Sequence, residues 1–386
     1  MAVIALMAVS IHVLPLTLFV KALLAEGFSS VIINRDFSNY WMASLLVLAG
    51  EQQDLFSQPV YFARALATFG PEYGLHNWGY PPHFLLFLWP FGLLGYKAAM
   101  LVFLGATLFL FAAAVTIFRS RFAPHSDRAI LFLAVLGYVL MMVDTTQNGF
   151  LTAAALLLGL AWMKDRPALA GLAFAFLTVK PQLGLLIPIL LIFDRNWRVI
   201  AWAALFTVVM VGLSSIFFGL SSWQAYLTET LVYQRSVMTD WYGLFLRMMP
   251  TVFGSVRTLG FTPQVAAIAQ WPVSLFAGAL VIWLLWTVTD PLRRAFVVVC
   301  GTFVVLPYGF NYDMGALTVV AAILVGSRQS LNQYTVLAIV VVAALSGIVT
   351  NLGRAMVPIS PLILAAGLIA IAVETWRSNL TSQRHP

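Results

Sequence analysis

A chain of 386 residues that is 61% hydrophobic and 9% charged, with a mean hydropathy of +0.93, has far less than the roughly 25% charge of a water-soluble fold. Its apolar runs are continuous rather than alternating, which excludes a β-barrel and points to an all-α, polytopic helical membrane protein. The net charge of +7 comes from arginines scattered over many loops, as beside an anionic inner leaflet, without the clustered basic face that nucleic acid would need.

The first apolar run, Val3 to Ala25, has no lysine or arginine ahead of it and no A-x-A site after it, so it reads as a retained span. A long aromatic loop, about 26–80, follows. Within it Phe37, Tyr40, Trp41, Leu45 and Leu48 recur at helical spacing, which predicts a helix lying in the interface plane and ended by Gly50. Further spans are expected near 82–95, 97–118, 129–143, 149–163, 168–194, 199–219, 264–287, 295–310, 313–326, 334–350 and 357–376, roughly ten to thirteen crossings in all. Residues 221–250, with Trp223, Tyr226, Tyr233, Trp241 and Tyr242, predict more interfacial helices. No stretch of soluble composition is long enough for a second domain, so residues 1–386 form one membrane-embedded unit.

Lysine and arginine in 119–128, 163–167 and 194–198 mark these loops as cytoplasmic. Segment 168–194 then has both ends on one side, which a pair of half-helices turning at Lys180-Pro181 would satisfy. Counting forward from a cytoplasmic N-terminus still puts 119–128 on the wrong side. Either 82–95 does not cross or a span is missing.

Four polar places stand out, because a polar side chain at membrane depth costs a few kcal/mol. Arg35-Asp36 reads in two compatible ways. Asp36 caps the next helix with Arg35 as surface counter-ion, or it is a general base at the boundary between lipid and water. DTTQNG (144–149) is a hairpin turn built on Asn148-Gly149, or a place where Gln147 and Asn148 face a sugar. Lys180 is the only charge between Ala168 and Phe193. It snorkels to an interface, or it meets an anionic partner such as a phosphate. LPYGFNYDM (306–314), with Tyr308, Asn311, Tyr312 and Asp313, is an aromatic-belt loop or a pocket wall.

The absences also narrow the chemistry. The single cysteine, Cys300, excludes an internal disulfide, and the five histidines show no zinc-ligand spacing. There is no D-x-D pair to cage a metal with a nucleotide-sugar, and no phosphate loop for ATP. Neither a metal nor another cofactor is expected.

The stretches RDFSNYWMASLLVLAG, NWGYPPHFLLFLWPFGLL, TQNGFLTAAALLLGLAW, AGLAFAFLTVKPQLGLLIPILLIFDRNWR and LPYGFNYDM, in this order, resemble glycosyltransferase family 87 (GT87). These are polyprenol-phosphate-dependent enzymes of the GT-C superfamily, and include mycobacterial α-mannosyltransferases of phosphatidylinositol mannoside synthesis. The resemblance runs from about residue 35 to 314. It implies a GT-C-type fold and a hexosyltransferase, with mannose the family's best-known cargo. The donor would be a polyprenyl-phosphate-linked sugar and the acceptor a glycolipid or glycan. The site would face the outer side of a bacterial cytoplasmic membrane, among its lipids. The aspartate expected as catalytic base falls at Asp36, and the Y-P-P and K-P stretches fall at Tyr80-Pro81-Pro82 and Lys180-Pro181. Where some members carry a histidine, this chain has Tyr308.

One base and a phosphate leaving group imply inversion. Lys180, helped by Arg35, Arg235, Arg247 or Tyr308, would receive the departing phosphate. Gln147, Asn148, Tyr80, Tyr312 and Asp313 would contact sugar or acceptor. The alternative from another class is a secondary transporter or flippase of lipid-linked sugars, which shares the composition and an intramembrane lysine. It would be expected to show a repeat across its halves, and none is visible.

Overall fold

The computed structural model describes residues 2–383, apart from 75, 328 and 330. No strand occurs among them. Inside lipid every backbone N–H and C=O must find a partner in its own segment, and helices alone do this for an open chain. The principal helices are α1 (Ala2–Leu24), α2 (Phe37–Leu48), α3 (Tyr96–Phe122), α4 (Arg128–Thr145), α5 (Gly149–Trp162), α6 (Pro167–Phe176) and α7 (Ile187–Phe193). They continue with α8 (Trp197–Phe218), α9 (Leu231–Asp240), α10 (Pro263–Thr287), α11 (Pro291–Val305), α12 (Gly315–Gly326), α13 (Gln333–Leu345) and α14 (Ser360–Gln383). Five of these, α3, α4, α8, α10 and most of α14, are long and apolar enough to cross a membrane by themselves. The others are shorter and pack among them.

Three charged loops meet at one end of the bundle. There Arg121 pairs with Asp165 at 2.6 Å, Arg294 pairs with Asp194, and the Asp127 N–H donates to the Gly326 carbonyl at 2.9 Å. Loops 119–128, 163–167 and 194–198 therefore share this end, as their charge predicts. Segment 168–194 is broken where expected. Helix α6 tightens into a 3-10 turn over Leu177–Val179, Lys180 leaves helical geometry, and a second 3-10 turn over Pro181–Gly184 leads into α7. Lys164, just before the segment, and Asp194, at its close, line the same small cavity. The segment thus enters the bundle and returns to the end it came from.

Segment 82–95 does not form a helix of span length. Pro82 and Pro90 divide it into short 3-10 and α pieces over Pro82–Leu93. Ser44 Oγ donates to the Leu88 carbonyl at 2.6 Å and Trp41 Nε1 to the Leu94 carbonyl at 2.9 Å, which hold it across α2.

That packing corrects a second expectation. Helix α2 forms over the predicted residues and Gly50 follows it at φ +75°, yet it does not lie exposed in an interface plane. From Phe37 to Ser44 every residue is buried, because the rest of the first loop and segment 82–93 fold over it. Phe37, Trp41, Phe69 and Tyr96 meet edge-on or tilted with centroids 5.4–5.8 Å apart.

The centre of the bundle is α5 against α12, both apolar all round and almost wholly buried, as such helices must be. At the site end glycine lets the neighbouring chain pack closely against each of them. A Cβ on Gly149 would lie 2.0 Å from the Tyr312 carbonyl oxygen, and one on Gly315 would lie 2.4 Å from the Tyr138 ring. Tyr138 in turn donates its hydroxyl to that Tyr312 carbonyl at 2.9 Å. Gly149→Ala is expected to destabilise the protein by about 1–3 kcal/mol through overpacking against backbone that cannot retreat, visible as a lower midpoint of thermal unfolding in detergent.

Candidate active site

Two polar runs that lie 109 residues apart are stitched rung by rung. Arg35 Nη1 pairs with Asp144 Oδ1 at 2.6 Å. The Asp36 N–H donates to the Thr145 carbonyl at 3.3 Å, and the Phe37 N–H donates to Thr146 Oγ1 at 3.3 Å. One turn further along α2, the Tyr40 hydroxyl donates to Gln147 Oε1. Thr146 takes the left-handed conformation (φ 50°) that lets 144–147 turn back along 35–40. The turn therefore rests on Thr146 rather than on Asn148-Gly149; Asn148 has an ordinary φ of −84° and opens α5.

This stitching overturns the capping role for Asp36. Residue 36 already has helical dihedrals, and its side chain makes no cap hydrogen bond. The hydroxyl of Thr146, brought in from α4, takes the Phe37 N–H instead. Arg35 is not a surface counter-ion either: it is part-buried on Asp144, with its guanidinium 4.8 Å from the Phe19 ring centroid. The Asp36 carboxylate is left to face a cavity.

That cavity has a volume of about 610 Å³, and Asp36, Arg35, Tyr80, Gln147, Lys180, Tyr308, Tyr312 and Asp313 all line it. The LPYGFNYDM stretch is thus a pocket wall. Lys180 is neither snorkelling nor a free cation. Its Nζ lies 2.7 Å from Asp313 Oδ1, with the two side chains 9% and 1% exposed, and it sits 4.7 Å from the Tyr312 ring centroid. The anion that a buried lysine demands is supplied first by the chain itself. Asp313 Oδ2 has no hydrogen-bond partner among the described residues.

Asp36 lies in the loop between α1 and α2, outside the spans. Burial pushes its carboxyl up to about 6, against the opposing pull of Lys180 and a hydrogen bond from Gln147; Asp313 adds to the rise and Arg35 opposes it. A carboxylate so placed is basic enough to take a proton near neutral pH yet still ionised there.

Three of the expected residues are not brought to this chamber. Arg235 is exposed on α9, Arg247 packs against Gly353, and the Asn148 side chain is buried outside the walls with both amide atoms unpartnered among the described residues. The cavity also has walls that sequence reading missed: Asn77, Gln182, Gln234, Trp241 and Tyr242. Gln182 stands two residues after Lys180, on the same turn, and that adjacency was a usable signal. Asp144 was another, since an acid at the end of an apolar helix needs a cation.

A helical membrane protein with one charged, aromatic-walled chamber, holding an uncapped carboxylate at one side and a buried lysine at another, has the form of a membrane-embedded enzyme. The family model for glycosyltransferase family 87 matches residues 78–307, more than half of the chain. The chain belongs to that family and is a glycosyltransferase. The match takes in Tyr80, Gln147 and Lys180; Asp36 lies before it, and Tyr308, Tyr312 and Asp313 lie after it. A comparison with curated proteins and one with solved structures each found no match.

Proposed function

We propose that this glycosyltransferase moves a hexose, mannose in the first instance, from a polyprenyl-phosphate donor to a lipid or glycan acceptor, with Asp36 as general base. The observation that carries the reading is the uncapped Asp36 carboxylate in the same chamber as Lys180. Asp36 takes the proton of an acceptor hydroxyl. The freed oxygen pair bonds to the anomeric carbon from the face opposite the phosphate, the carbon–oxygen bond to phosphate breaks with its electrons, and polyprenyl phosphate leaves. The configuration inverts.

An ammonium has three donors, and Asp313 uses one, so Lys180 keeps two for phosphate oxygens. Arg35 and Tyr308 are on the walls to assist, whereas Arg235 and Arg247 are not and have no part in this scheme. Tyr80 and Tyr312 offer ring faces to the sugar. Leu231, Leu244, Phe245 and Met248 give the same chamber an apolar side for the first isoprene units of the donor. Loops 119–128, 163–167 and 194–198, with their lysines and arginines, lie at the opposite end of α4 from Asp144, which supports a chamber opening on the outer side of a bacterial cytoplasmic membrane.

The test offers the purified protein, in nanodiscs, a labelled polyprenyl-phosphate hexose and, separately, a nucleotide-hexose. Transfer from the lipid-linked sugar alone supports the reading; transfer from the nucleotide-sugar overturns the donor. Since the base must be ionised, transfer should be at full rate above the Asp36 value and fall away as pH drops through about 6. A rate flat from pH 5 to 8 would count against Asp36.

A further inference from the structure

The small cavity between Lys164 and Asp194 shares no wall residue with the chamber and has no part in sugar transfer. It has a volume of about 180 Å³ and lies where the ends of α3, α5, α7 and α11 meet. A second cavity of about 100 Å³ shares Phe122, Leu160, Met163, Lys164 and Pro291 with it and reaches Arg121. Most of the charge on these walls is already answered. Arg294 pairs with Asp194 and donates to the Val288 carbonyl at 2.8 Å, and Arg121 pairs with Asp165 at 2.6 Å. Lys164 is different: its ammonium makes no hydrogen bond or ion pair among the described residues. The same holds for the side chains of Asn196 and Thr289 on the larger cavity.

From this geometry we infer that the cavity binds a phosphate group, that of an anionic phospholipid headgroup, with Lys164, Asn196 and Thr289 as its donors. An ammonium, an amide NH₂ and a hydroxyl can all donate to phosphate oxygens, and the one carboxylate on the wall is held by a guanidinium. The rest of the wall is apolar, with Phe122, Leu160, Met163 and Leu190, which suits the glycerol and the first acyl carbons. The depth also fits a lipid. Exposed Trp197 follows Asn196 directly, and exposed Trp286 stands three residues before Thr289 and meets the Phe193 ring. Exposed indoles gather at the level of the headgroups, so the cavity lies there too. Basic pockets between spans at this level recognise anionic headgroups. The site is independent of the role given to Asp36.

The test titrates the full-length protein, stripped of lipid in a neutral detergent, with phosphatidylglycerol and with phosphatidylcholine, and counts retained lipid by native mass spectrometry. The first lipid bound should be phosphatidylglycerol, preferred by about fivefold or more, the weight of one ammonium beside an anionic headgroup. Lys164→Gln should remove most of that preference. Arg166→Gln deletes the same charge from the same loop, but off the cavity walls, and should keep it. Both side chains are exposed, so neither change removes core packing. An equal loss in the two variants would mean a diffuse attraction to the loop and would overturn the site. An undiminished preference in Lys164→Gln would overturn it as well. Inorganic phosphate, titrated into the same stripped protein by calorimetry, separates the two sources of the group. Phosphate binding that Lys164→Gln abolishes, with no lipid preference in the wild type, overturns the lipid and gives the cavity to a soluble phosphate.

Discussion

Asp36→Asn is expected to lose transfer activity by on the order of 10²–10⁴-fold while the protein stays folded. Both halves of that expectation follow from the same feature. The carboxylate makes no cap to α2, and the Phe37 N–H is held by Thr146, so the amide replacement removes no bond on which the helix depends. It also removes a half-buried negative charge that faces Asp313. The unfolding midpoint should therefore be unchanged or slightly raised. Activity falls because an amide cannot accept the acceptor's proton. Measuring transfer and thermal unfolding on one preparation separates the two effects, and near-normal turnover would remove Asp36 from the mechanism.

Lys180→Ala should have the largest effect on stability. It strands Asp313, whose side chain is 1% exposed and whose second oxygen already lacks a partner, and breaking a buried pair from one side costs about 3–5 kcal/mol. Replacing both members by apolar residues of similar size, Lys180→Met with Asp313→Leu, should recover most of that loss, because no buried charge is then uncompensated. The double variant should still use lipid-linked donor poorly. If it folds and its donor KM equals that of the wild type, Lys180 does not hold the phosphate. If only its acceptor kinetics change, the assignment is equally wrong.

The elements that sequence reading recovered are those with local causes. Apolar runs of span length placed α1, α3, α4, α8 and α10 within a few residues, since nothing but a helix tolerates that environment. The break at Lys180 was visible because a charge and a proline fall together in an apolar run. Segment 82–95 has span-like composition, but its prolines divide it and it packs across α2, so no span-length helix forms. The capping role of Asp36 failed for a different reason. Its competitor, Thr146, is 110 positions away in the chain, and no local pattern records that the two runs meet. Arg35 with Asp144 and Lys180 with Asp313 are pairings of the same kind. The site's residue types could be picked out one at a time, whereas their partnerships belong to the tertiary fold.

The hairpin that carries Lys180 has a bearing on how the molecule is made. Its ammonium emerges from the ribosome well before residue 313 exists to neutralise it, and a lone cation is poorly held in hydrocarbon. The tip would stay at the aqueous edge during synthesis and settle inward only once α11 and α12 arrive. The wall of the chamber that carries Lys180 then closes late in synthesis, and a nascent chain released before Asp313 would leave it unfinished.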